Sequence, residues 1–140
     1  MAEANVEIVR QVYECVNQRR WDALAELLDP EVAQYGTVGG LEEDTVVRGP
    51  TEIAQMYESE ADAWDRQRIE PERLIEAGDQ VVVFQREHQR GRSSGLELVD
   101  ETAALIDLRD GRVVRIQGYM DRAAALRAAG LSDEEARSSS

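Results

Sequence analysis

The sequence predicts an α+β domain in which helices lead and a run of antiparallel strands follows. Three observations carry this. Val6, Val9, Val12, Tyr13 and Val16 recur at three- and four-residue steps, the period of a helix with one apolar stripe. From residue 69 onward the chain consists instead of extended, β-branched runs separated by turn signals. Its 140 residues, 42% hydrophobic and 32% charged, fit one ordered core, with no repeat or interdomain linker to divide it. The expected domain spans 1–131, and the acidic, serine-rich tail at 132–140 is expected to fray.

The elements follow in order. The first stripe gives a helix over 5–18, and Trp21, Leu24, Ala25 and Leu28 give a second over 21–28. Asp29-Pro30 ends it, because a residue before proline avoids the helical region. Residues 31–35 read as a short extended piece and 36–49 as a glycine-rich, acidic loop. Pro50 opens a third helix at the position where a missing N–H matters least. Its stripe is Ile53, Met56, Tyr57 and Trp64, with Glu60 set among these apolar positions. Strands are expected at 69–76, 80–90, 96–108 and 112–119, joined by turns at 77–79, 91–95 and 109–111. Asp121 caps a short helix over 122–129, which Gly130 ends.

Charge excludes several functions. The net charge is −13, which repels phosphate backbones and anionic lipid, so neither nucleic-acid nor membrane partners are expected. All 16 basic residues are arginine, which excludes Schiff-base lysine chemistry and a P-loop lysine. No apolar run approaches the roughly 18 residues of a membrane span, and the N-terminus does not read as a signal peptide. One cysteine, Cys15, and one histidine, His88, cannot build a Cys/His zinc site, and His88 with Asp100 and Glu60 is a weak signal for another divalent ion, so no metal is expected; no cofactor is expected either. A cytoplasmic location fits the single thiol.

Strand alternation then sorts candidate site residues. A hairpin about the 91–95 loop is expected to place His88 opposite Asp100 and Arg86 opposite Thr102. It places Phe84 opposite Ala104 and Val82 opposite Ile106. A three-residue 109–111 loop would bring Val114 and Ile116 to the same face. That face is apolar at one end and ionisable at the other. Val81, Val83, Gln85 and Glu87 fall on the opposite set.

The chain also resembles the SnoaL-like branch of the nuclear transport factor 2-like superfamily. The residues that carry the likeness begin with Val12-Tyr13-Glu14, Trp21-Asp22-Ala23-Leu24 and Leu27-Leu28-Asp29-Pro30-Glu31-Val32. They continue with Arg48-Gly49-Pro50, Ala77-Gly78-Asp79-Gln80-Val81-Val82-Val83 and Leu108-Arg109-Asp110-Gly111-Arg112-Val113-Val114. Gly118-Tyr119-Met120-Asp121-Arg122, with Ala125-Leu126 and Ala129-Gly130-Leu131, completes them. The resemblance implies a cone: a curved antiparallel sheet wrapped on three helices around an internal pocket. It also implies a homodimer through the outer sheet face; on the separate reading of the chain as a dimerisation domain, Val83, Ala103 and Leu105 would pack there across a two-fold. Family members include ketosteroid isomerase, limonene-epoxide hydrolase and polyketide cyclases. Tyr13 matches the isomerase tyrosine, but the isomerase aspartate positions fall near Gly36 and Ala104. The hydrolase set becomes Arg86-Glu87-His88, Gly118, Gln34 and Gly36, so neither catalytic set is retained.

The function expected is a small-molecule pocket protein working by cofactor-independent acid/base chemistry: a cyclase, isomerase or hydrolase. His88 would be the base, Asp100 its orienter, Arg86 the oxyanion partner and Tyr13 a donor. Gln34, Tyr35, Glu60, Trp64, Phe84 and Thr102 would contact the substrate. The competing reading is a noncatalytic ligand-binding or dimerisation domain, in which His88, Asp100 and Arg86 merely satisfy one another.

Overall fold

The computed structural model describes residues 2–91 and 93–132. The serine-rich tail expected from 132 therefore lies, beyond Ser132, outside the described residues. The element order is α1 (Ala2–Asn17), α2 (Trp21–Leu27), β1 (Leu28–Val38), β2 (Val46–Arg48), α3 (Pro50–Ala63), β3 (Trp64–Ala77), β4 (Gln80–Gly91), β5 (Glu97–Arg109), β6 (Arg112–Tyr119) and α4 (Arg122–Ala128). One curved sheet runs β2-β1-β6-β5-β4-β3. Neighbours are antiparallel except β1 and β6, which run parallel.

Helices α1 to α3 cover the inner face of this sheet. Their stripes (Val9, Val12, Tyr13, Leu24, Ile53) pack against Val32, Val81, Val83, Ala104, Ile106, Val113 and Ile116. Asn17 fastens α1 to β3 with two reciprocal bonds, donating to the Ile69 carbonyl and accepting its N–H, each 2.8 Å. Pro50 begins α3 after Gly49, whose φ of +94° suits glycine. The helix ends earlier than its stripe suggests: Trp64 is extended and opens β3.

The outer face has its own core. Ala125 and Leu126 of α4 pack on Ile75, Val82, Ala103 and Leu105. Asp121 caps α4 by accepting the Ala123 N–H at 3.0 Å. The packing face expected for a two-fold is therefore corrected. Val83 points into the helix-covered core, and Ala103 and Leu105 are already covered by α4.

Two hairpins set which side chains face inward. In β4–β5 the Gly91 N–H donates to the Leu96 carbonyl at 3.1 Å, so the pairing closes on 91 with 96. The register then runs Glu87↔Asp100, Gln85↔Thr102, Val83↔Ala104 and Val81↔Ile106. This is one residue away from the expected pairing, and a one-residue slip exchanges the faces of β4. In β5–β6 the turn has two central residues, Asp110 (φ +51°) and Gly111 (φ +78°), between Arg109 and its partner Arg112. A bulge at Val114, between the Leu108↔Val113 and Asp107↔Arg115 pairs, then restores the parity a three-residue loop would give. Ile116 accordingly faces inward opposite Ile106, while Val114 is the bulged residue and Val113 takes the core position.

Candidate functional site

Between the helices and the inner sheet face lies a cavity of about 130 Å³. Tyr13 and Val16 of α1, Tyr57 and Glu60 of α3, and Gln34 of β1 form one side. Gln85, Glu87, Thr102 and Ile116 form the sheet side. A wider hollow, lined by Met56, Glu42, Leu41 and Met120, shares Gln34 and Glu60 with it and forms its vestibule.

A chain of hydrogen bonds crosses the wall. The Tyr13 hydroxyl donates to Gln85 Oε1, Gln85 Nε2 donates to Thr102 Oγ1 at 3.0 Å, and Thr102 Oγ1 donates to Glu87 Oε2 at 3.2 Å. Thr102 is almost fully buried, so its hydroxyl needs both partners. Gln34 hydrogen-bonds Tyr57, while its own Oε1 is buried with no partner. Burial is the main cause that pushes both phenols, Tyr13 and Tyr57, far above the ordinary range, so both keep their protons.

The carboxyls behave differently. Glu60 is exposed at the rim of the cavity, yet desolvation of its carboxyl and then the charges of Glu87 and Glu42 push it up to about 7. Glu87 is raised by desolvation, with Asp100 adding to the rise and the Thr102 bond opposing it. Two carboxyls of raised proton affinity on one small cavity can hold a proton on one and a charge on the other near neutral pH.

The expected site residues divide by face. Tyr13, Gln34, Tyr35, Glu60 and Thr102 are among the residues lining the cavity. The Tyr35 ring itself is stacked under the Arg115 guanidinium, 4.7 Å from its centroid. His88, Arg86 and Phe84 lie on the outer face because the β4 register reverses the expected parity. His88 Nε2 sits 3.5 Å from Glu70 Oε1 and faces Val99, not Asp100. Arg86 is bridged to Glu101 at 2.9 Å and Glu72 at 3.2 Å. The Phe84 ring lies under Arg122, whose guanidinium is 5.0 Å from its centroid. Asp100 pairs opposite Glu87 and is exposed. Trp64, at the α3–β3 junction, does not line the cavity. The residues missed are Glu87, Gln85 and Tyr57. The first two belonged to the opposite strand set, and Tyr57 stood in the helix stripe as core.

Among the described residues no three His, Cys, Asp or Glu side chains gather to hold a metal, and no helix is long and apolar enough to cross a membrane.

This sheet-on-helices cone is the ketosteroid isomerase-like, nuclear transport factor 2-like fold. A ketosteroid isomerase-like protein from Catenulispora acidiphila, solved with trimethylamine, superposes at TM-score 0.72 with 16% identity, covering 91% of this chain and 95% of that one. TerC, co-crystallised with polyporic acid, gives 0.72 at 21% identity over 91% and 98%. A protein from Xanthomonas campestris pv. campestris, provisionally named a polyketide cyclase, gives 0.71 at 19% over 91% and 98%. Residues 9–116 match the SnoaL-like domain, and the chain belongs to that family. No curated protein matches the sequence.

Proposed function

We propose that the protein binds a small organic molecule in the inner cavity and transfers a proton on it without a cofactor, with Glu60 and Glu87 as the exchanging groups. The observation that carries this is the placement of two carboxyls of raised proton affinity on one cavity beside two protonated phenols. One carboxyl accepts a substrate proton, and the other returns one at a second atom. The Tyr57 hydroxyl, held by Gln34, serves as a donor to charge developing on a substrate oxygen. The SnoaL-like fold and relatives solved with small organic molecules support a ligand role for the hollow. This reading moves the base from His88 to the carboxyl pair, because His88 is on the other side of the sheet.

The test is hydrogen–deuterium exchange at carbon in D2O, followed by proton NMR over a panel of small neutral and amine-bearing ketones. The wild type exchanges at least one probe, and Glu60→Gln or Glu87→Gln lowers that rate by about 10²–10⁴. A panel exchanged no faster with protein than without it, or equally by both variants, leaves a binding module instead.

A further inference from the structure

The polar atoms of the cavity are unevenly divided between donors and acceptors. The Tyr13 hydroxyl, the Gln85 amide and the Thr102 hydroxyl all donate within the wall. What remains on the lining to meet a ligand is the Glu60 and Glu87 carboxyls, acceptors when ionised, together with the Tyr57 hydroxyl. Among the described residues no arginine and no histidine lines the cavity or its vestibule, and Glu42 adds a further acid at the mouth. The Arg86, His88 and Arg122 side chains make their contacts on the other side of the sheet. An anion entering this hollow meets like charge and, among the described lining residues, no basic partner, whereas a cation with N–H groups meets opposite charge and carboxylate acceptors.

We propose that the ligand of this cavity is a small protonated amine, its charge held by Glu60 and Glu87. The proposal rests on the reading that the cavity takes a small molecule, and it adds the charge class. A bound cation favours the ionised carboxyls, so binding releases protons and tightens as pH rises through the titration of Glu60. The groups acting on Glu60 are Glu87 from β4 and Glu42 from the β1–β2 connection, with Tyr57 on its own helix, and none of them is basic.

Three probes of one shape test this by NMR titration and calorimetry on the full chain: tert-butylammonium, neutral tert-butanol and anionic pivalate. The cation binds at least about tenfold tighter than the alcohol, pivalate binds weakest, and Glu60→Gln and Glu87→Gln each cut cation affinity about tenfold or more. In the wild type, affinity for the ammonium, which stays protonated throughout, rises between about pH 6 and about pH 8. That pH series decides the matter even where a variant fails to fold. Binding of tert-butanol or pivalate as tight as the cation, or cation affinity that is flat with pH, overturns the amine assignment and leaves the pocket reading standing. Failure of all three to bind overturns both.

Discussion

Glu60 and Glu87 come from different elements, one from α3 and one from β4, and meet only because the sheet curls against the helices. Their raised proton affinity has a stability consequence. A carboxyl whose folded pKa exceeds its unfolded value binds more protons folded than unfolded, so stability falls as pH rises from about 4.5 to about 7. Glu60→Gln removes that proton uptake. Its melting temperature should exceed that of the wild type by a margin that widens across this window. Thermal scans at several pH values check this, and a constant margin contradicts it. The histidine gives the complementary prediction. His88→Ala should leave proton transfer on the exchanging probe within about twofold, because the imidazole contacts Glu70 on the outer face. Glu60 was legible in the sequence as a carboxylate on an apolar stripe. Glu87 was not, because its neighbours Arg86 and His88 offered an equally ionisable alternative on the other parity.

At the scale of elements, that ambiguity has a physical origin. Alternation identifies the inner face only where the other face is wet. Here α4 covers the outer face, so Val82 and Phe84 are as apolar as Val81 and Val83. The register then depends on whether the hairpin closes on 91 with 96, which hydropathy does not encode. The helices, the 112–119 strand and the Asp121 cap were legible because period and capping residues act locally. β2 was hidden in an acidic loop because it is three residues long, and β3 begins five residues before its expected start.

Arg122 is the joint between α4 and the site strands. It donates to the carbonyls of Thr102 at 3.1 Å and Gln85 at 2.8 Å, and bridges Glu72 at 2.7 Å. Both of those residues carry the hydrogen-bond chain on the other face. Arg122→Ala should lower unfolding stability by about 1–3 kcal/mol in urea titrations, with Arg122→Lys recovering only part. Gly36 is fixed by close approach: an added Cβ would sit 1.7 Å from the Glu42 carbonyl oxygen. Gly36→Ala should therefore destabilise by about 1–3 kcal/mol, and a neutral result in the same titration contradicts the packing of the 39–45 loop over β1.

The whole molecule combines a small acidic hollow with a net charge of −13. Self-repulsion of that charge opposes compaction, and added salt screens it over about 8–10 Å. Raising sodium chloride from low to physiological strength should raise the melting temperature while weakening any cationic ligand, two opposite responses from one cause. The fold itself was readable because many weak, ordered signals agree along the chain, whereas the site depends on a single register. The measurement that tests the central claim most directly is carbon-13 NMR titration of glutamate carboxyls in the wild type and in Glu87→Gln. The account predicts a Glu60 midpoint at about 7 that falls when the Glu87 charge is removed yet stays above 4.5, because desolvation is the larger cause and remains. A Glu60 midpoint already near 4.5 in the wild type, unmoved by that substitution, would contradict it.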